Sequence, residues 1–124
     1  MVRKRILLIE DEKDMVFAVT LQLQAAGYEI IVAGNGEEGL DKARREKPDL
    51  IILDLMLPKM DGYKVCGLLK SDKKYMHIPV IMFSARASQA DKELGKKVFV
   101  DAYITKPFDP KALLDTIRKV LAHG

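Results

Sequence analysis

Glu10-Asp11, Asp54, Ser84 and Lys106 each end or closely follow a short apolar run. The runs are Ile6 to Ile9, Leu50 to Leu53, Val80 to Phe83 and the weaker Ala102 to Ile104. Brought together, these residues form a set suited to phosphoryl chemistry. Three converging carboxylates repel one another, and the site is costly unless a cation or raised pKa values relieve it. Hard oxygen ligands favour Mg²⁺, which keeps several waters and takes one or two carboxylates plus phosphate oxygens. Lys106 supplies a positive charge and Ser84 a hydroxyl donor, both suited to oxygens whose charge must be neutralised during in-line transfer. Asp54 can itself be the nucleophile, because a carboxylate needs no general base at neutral pH and aspartyl phosphates are established covalent intermediates.

These groups converge only if the right elements carry them. Short continuous apolar runs are expected for strands covered on both faces of a parallel sheet, and Ile30 to Ala33 supplies another. Between the runs the period turns helical. Met15, Val19, Leu23 and Ala26 share a face, with Gly27 as the stop. Asn35 with Glu38 reads as a capping-box variant opening a helix through Leu40 and Ala43 that ends before Pro48. Asp61 caps a third helix with Val65, Leu68 and Leu69, and Ser88 with Asp91 caps a fourth. Asp109 and Pro110 start the last, whose Leu113, Ile117, Val120 and Leu121 have core-facing spacing.

The alternation predicts an α/β fold: one flavodoxin-like (βα)5 domain over residues 1–124, with a five-stranded parallel sheet of order 2-1-3-4-5 and helices on both faces. In such a sheet functional groups gather beyond the carboxyl ends of the strands, where the acids, Ser84 and Lys106 fall.

Composition narrows the class. The 124 residues are 48% apolar and 31% charged, enough for one core without disulfides, and a single cysteine, Cys66, permits neither an internal disulfide nor a cysteine-cluster zinc site. A net charge of +3 spread along the chain, 6% aromatics and no Trp argue against direct nucleic-acid binding. The apolar runs fall far short of the ~20 residues a membrane helix requires. The basic start before Ile6 lacks the long apolar region and cleavage site of a signal peptide, so a cytoplasmic, membrane-free protein is expected.

In order along the chain, Ile-Leu-Leu-Ile-Glu-Asp-Glu at 6–12, Leu-Asp-Leu-Met-Leu-Pro-Lys-Met-Asp-Gly at 53–62, Phe-Ser-Ala-Arg at 83–86 and Tyr-Ile-Thr-Lys-Pro-Phe at 103–108 resemble the receiver domains of two-component response regulators. The resemblance covers essentially the whole chain. It implies that Asp54 accepts a phosphoryl group from a histidine kinase or phosphotransfer protein. It further implies that Glu10, Asp11, Asp54 and the Met56 backbone carbonyl hold Mg²⁺, and that Ser84 and Lys106 grip the phosphoryl oxygens. Tyr103 matches the aromatic residue that rotates inward on activation, and Lys106-Pro107 a dipeptide that is usually cis. A downstream protein or a fused output domain would read the switch, and the domain would be a phosphoacceptor, not an enzyme. Two positions depart from the family pattern. Val98-Phe99-Val100 stands where a Gly-Ala-like pair is common, and Ser84 replaces the commoner threonine.

Other readings compete. An aspartyl-nucleophile phosphatase or phosphotransferase would place a second acid two residues after the nucleophile, where this chain has Met56. A phosphate-silent interaction domain would have no use for the intact set of acids, Ser84 and Lys106. Taken singly, each acid is a solvated strand end or cap. Cys66 reads as core, Met56 and Met60 as loop packing, His77 and His123 as outside the cluster, and Lys73-Lys74 and Lys96-Lys97 as solvated faces.

Overall fold

The structure is a computed structural model that describes residues 3–85, 93 and 96–123. Its elements are β1 (Arg5–Ile9), α1 (Lys13–Ala25), β2 (Glu29–Ala33), α2 (Gly36–Glu46), β3 (Leu50–Asp54), α3 (Gly62–Lys70), β4 (Val80–Ser84), β5 (Ala102–Thr105) and α4 (Pro110–His123). The strands form one parallel sheet of order β2-β1-β3-β4-β5, as the sequence predicts. The Ser88 and Asp91 caps expected for a helix between β4 and β5 lie outside the described residues, although 93, 96 and 97 are helical.

Pleating sends alternate side chains of each strand into two separate cores. Ile6, Leu8, Leu50, Ile52, Ile81 and Phe83 pack with Val19 and Leu23 of α1 and Leu113 and Ile117 of α4. Leu7, Ile9, Ile51, Leu53, Val80 and Met82 pack with α2 and α3, through residues such as Leu40, Val65 and Leu69. Both faces are covered, which explains why the strands read as unbroken apolar runs. On α3, Leu68 departs from its expected role and is 38% exposed, while Cys66 and Leu69 fill the core.

Local chemistry sets the helix ends. The Asn35 side chain accepts from Glu38 N–H at 2.9 Å, Asp61 from Lys64 N–H at 2.9 Å, and Asp109 from Ala112 N–H at 3.3 Å. Gly27, at φ +94°, follows α1, and Lys47 takes the left-handed conformation between α2 and Pro48. Where the family's glycine is missing, Phe99 adopts φ +62° with 68% of its surface exposed, so the turn keeps a glycine-like backbone without a glycine.

The amino-terminal rim of the sheet is tied together. Lys70 Nζ donates to the carbonyls of Ile78 (2.8 Å) and Met76 (3.2 Å) and meets Asp101 Oδ2 at 3.0 Å. Asp101 in turn accepts from Val80 N–H at 2.7 Å, and Asp49 accepts from Arg5 N–H at 2.8 Å. Among the described residues no helix is long and apolar enough to cross a membrane.

Gly62 opens α3 directly over the end of β3. A Cβ there would lie 2.6 Å from the Asp54 carbonyl oxygen and 2.9 Å from the Leu55 Cα, backbone atoms that cannot swing aside. Gly62→Ala should therefore destabilise the fold by about 2 kcal/mol, the cost of overpacking a tight site, read as a lower urea midpoint at unchanged m-value.

Candidate functional site

Because β1, β3 and β4 run parallel in adjacent positions, their carboxyl ends open on one side of the sheet. Glu10 follows β1, where its backbone N–H donates to the Ala33 carbonyl at 3.0 Å. Asp54 is the last residue of β3 and pairs in register with Phe83, so Ser84 lies one step further along the neighbouring strand. Glu10, Asp54 and Ser84 are the buried polar and charged residues of the described chain, at 1%, 3% and 5% exposure. Asp11 is exposed beside them. One carboxylate oxygen from each of Glu10, Asp11 and Asp54 lies within 4.8 Å of the others, the set predicted from the strand ends.

Lys106 enters this cluster from the far edge. Its backbone N–H donates to the Ser84 carbonyl at 2.7 Å, which holds the segment after β5 against β4. The Lys106-Pro107 peptide is cis, as the resemblance implies. Lys106 Nζ lies 3.1 Å from Glu10 Oε1, 3.3 Å from Asp54 Oδ1 and 3.8 Å from the exposed Glu12. Beneath it, the Phe83 ring centroid is 5.3 Å away.

The electrostatics follow from burial and proximity. Burial pushes the Glu10 carboxyl up to about 7, and the hydrogen bond with Asp54 and the Asp54 charge push the same way against Lys106. For Lys106, burial favours the neutral amine. The hydrogen bond that Lys106 donates to Glu10, with the charges of Asp54 and Glu10, outweighs it and holds the ammonium above its usual range. One lysine thus faces two buried carboxylates. Oxygen donors this close, short of positive charge and bordered by an exposed third acid, suit a hard divalent cation.

The remaining expected residues separate. Tyr103 stands on β5 opposite Met82, packed against the core shared with α2 and α3. Its hydroxyl is 3.3 Å from that of Tyr63. The Met56 backbone N–H donates to Asp54 Oδ1 at 3.1 Å, but its side chain is 79% exposed, so it corrects the expectation of loop packing; Met60 does pack on the core. Cys66 is a buried core residue with a thiol pushed up to about 12 by burial, and its Sγ donates to the Val98 carbonyl. His77, Lys73, Lys74, Lys96 and Lys97 are exposed.

The sequence did not single out Phe83, Tyr63 or Glu12 as neighbours of the site. Phe83 and Tyr63 look like core from their spacing, and their contacts with Lys106 and Tyr103 cross between elements. The one available signal was for Glu12, which stands next to the acidic pair.

Comparison with known proteins accords with this geometry. The family model for the response regulator receiver domain matches residues 6–118. The alkaline phosphatase synthesis transcriptional regulatory protein PhoP of Bacillus subtilis is 42% identical over 118 residues, covering 95% of this chain and 48% of PhoP. The DNA-binding response regulator MtrA of Mycolicibacterium paratuberculosis is 38% identical over 94% of this chain and 50% of MtrA, so the chain spans about half the length of such relatives. Among solved structures, chemotaxis protein CheY4 of Vibrio cholerae superposes with a TM-score of 0.92 at 32% identity, over 96% of this chain and 99% of CheY4. The receiver domain of sensor histidine kinase PA1611 from Pseudomonas aeruginosa has a magnesium ion in its active-site cleft; it superposes with a TM-score of 0.90 at 26% identity, over 98% and 99% of the two chains. With its 2-1-3-4-5 sheet and its cluster of acids at the strand ends, the chain belongs to the response regulator receiver domain family of two-component systems.

Proposed function

We propose that this chain is a phosphorylation-driven switch in which Asp54 is the phosphoacceptor. The observation that carries the reading is the Asp54 carboxylate, buried at a strand end with Glu10 and Asp11 oxygens within 4.8 Å and the Lys106 ammonium at 3.3 Å. In the transfer, an Asp54 carboxylate oxygen forms a bond to phosphorus while the bond from phosphorus to the donor breaks. When the donor is a phosphohistidine, the departing imidazole nitrogen keeps the electron pair and takes up a proton.

Glu10, Asp11, Asp54 and the Met56 carbonyl would hold Mg²⁺, which when bound supplies positive charge to the phosphoryl oxygens and orients them. The chain's own residues do the rest. The Met56 N–H fixes one Asp54 oxygen, Lys106 neutralises charge that develops on the phosphoryl group, and Ser84 donates its hydroxyl to the product. The exposed thioether of Met56 stands where a phosphatase would need a second acid, so turnover of small substrates is the weaker reading.

The switch follows from the new charge. A phosphoryl group on Asp54 draws Lys106 and Ser84 toward it and biases the equilibrium of Tyr103 on β5. Inverting a 1:99 population requires ~5.5 kcal/mol of differential interaction, within reach of a few charge-assisted hydrogen bonds. A histidine kinase or phosphotransfer protein in the cytoplasm would donate the group, and a downstream protein or a linked output domain would read the result.

Given Mg²⁺ and acetyl phosphate, the protein should gain one phosphoryl group by intact mass, whereas Asp54→Asn should gain none. Lys106→Ala should still be phosphorylated, more slowly, but without the shifts in β5 amide resonances that accompany phosphorylation of the unmodified protein; equal shifts in both would remove the lysine from the switch. A pH series tests the acidic cluster. Folded Glu10 keeps its proton up to about pH 7, whereas the unfolded chain releases it near 4.5. The folded state therefore binds more protons between these values, and its stability falls as pH rises through that window, by up to about 3 kcal/mol. Chemical denaturation without divalent ions should record the fall, Glu10→Gln should flatten it, and Mg²⁺ at pH 7 should restore stability.

A further inference from the structure

We propose that Phe83 is a positioning residue for Lys106: its buried ring lies under the ammonium and, through a cation–π contact, holds the charge at the carboxylates. The inference rests on the reading of Lys106 as the phosphoryl-neutralising group. Lys106 Nζ is 5.3 Å from the Phe83 centroid, inside the ~6 Å range over which a ring face attracts a cation. Phe83 is fully buried and Lys106 exposes only 13% of its side chain, so little water screens the attraction. The Phe108 ring meets the Phe83 ring edge-on, with centroids 6.0 Å apart and planes at 71°. Residues 106 and 108 of one segment thus engage the same ring, which fixes where that segment leaves β5.

The ring does something a carboxylate cannot. An ammonium has three N–H donors, and Glu10 and Asp54 lie within reach of them. A π face stabilises the charge without needing a directed N–H bond. When a phosphoryl group arrives on Asp54, the ammonium must turn toward the new oxygens; the ring limits that movement to a short arc and lowers the entropy lost by a flexible lysine. Leucine or isoleucine would fill the core equally well but has no such face.

The test separates ring electronics from packing. Ring-fluorinated phenylalanines placed at position 83 keep nearly the same volume while draining the negative face, and Phe83→Leu removes it. The initial rate of phosphorylation by acetyl phosphate at fixed Mg²⁺ should fall stepwise with fluorine content, to roughly a tenth for the most fluorinated ring. In a Lys106→Ala background the same substitutions should change the rate by less than about twofold, because the coupled partner is gone. The Lys106 ε-methylene protons should resonate upfield in the unmodified protein and move downfield as fluorines are added.

A rate indifferent to fluorination, or one that falls equally without Lys106, overturns the proposal, as do ε-methylene protons at an ordinary position. The proton signals need no phosphorylation. If the unmodified protein gains no phosphoryl group, the reading of Asp54 fails, and the ring shift and its response to fluorine alone decide the role of Phe83.

Discussion

Glu10 and Asp54 are carboxylates taken out of water side by side, and one ammonium, Lys106, stands between them and mutual repulsion. Other features of the carboxyl end of the sheet answer to that imbalance. Glu10 holds its proton to near neutrality, Lys106 is secured as a cation, and exposed Asp11 leaves the mouth open to a hard metal. Removing one member of such a buried charge set strands the rest, so the group behaves as a unit.

The fold makes this arrangement possible by spending its apolar surface elsewhere. Two cores, one on each face of the sheet, bury nearly every residue of β1, β3 and β4, and the strands end in polar side chains where the helices no longer cover them. Gly62 lets α3 begin against the Asp54 backbone, and one residue later Tyr63 reaches the Tyr103 hydroxyl. Asp54, the proposed acceptor, and Tyr103, the expected switch residue, are thereby joined through the first turn of a single helix.

Much of this was legible in the sequence, because parallel strands and helix caps leave local marks. Unbroken runs such as Leu50 to Leu53 require two covered faces, and Asn35, Asp61 and Asp109 bond to N–H groups three residues on. Strand order placed Glu10, Asp54 and Lys106 at one end, which sufficed to predict their meeting. What lay hidden depends on side-chain reach between elements. A phenylalanine in an apolar run looks the same whether or not a lysine rests on it, as Phe83 illustrates. Phe99 hid a backbone conformation usually signalled by glycine, and Met56 sits in a motif without revealing that its thioether faces solvent.

The tether formed by Lys70, Asp101 and the carbonyls of Met76 and Ile78 lies at the opposite rim from Glu10, Asp54 and Lys106. It clamps the starts of β4 and β5 to the end of α3, while Tyr103 and Lys106 lie further along the same strand and the segment after it. The sheet then resembles a beam held at its root by this tether, with the charges of Glu10, Asp54 and Lys106 at the other end. On the proposed reading, a load placed at Asp54 would meet a fixed root, so β5 beyond Asp101 is the part left to respond.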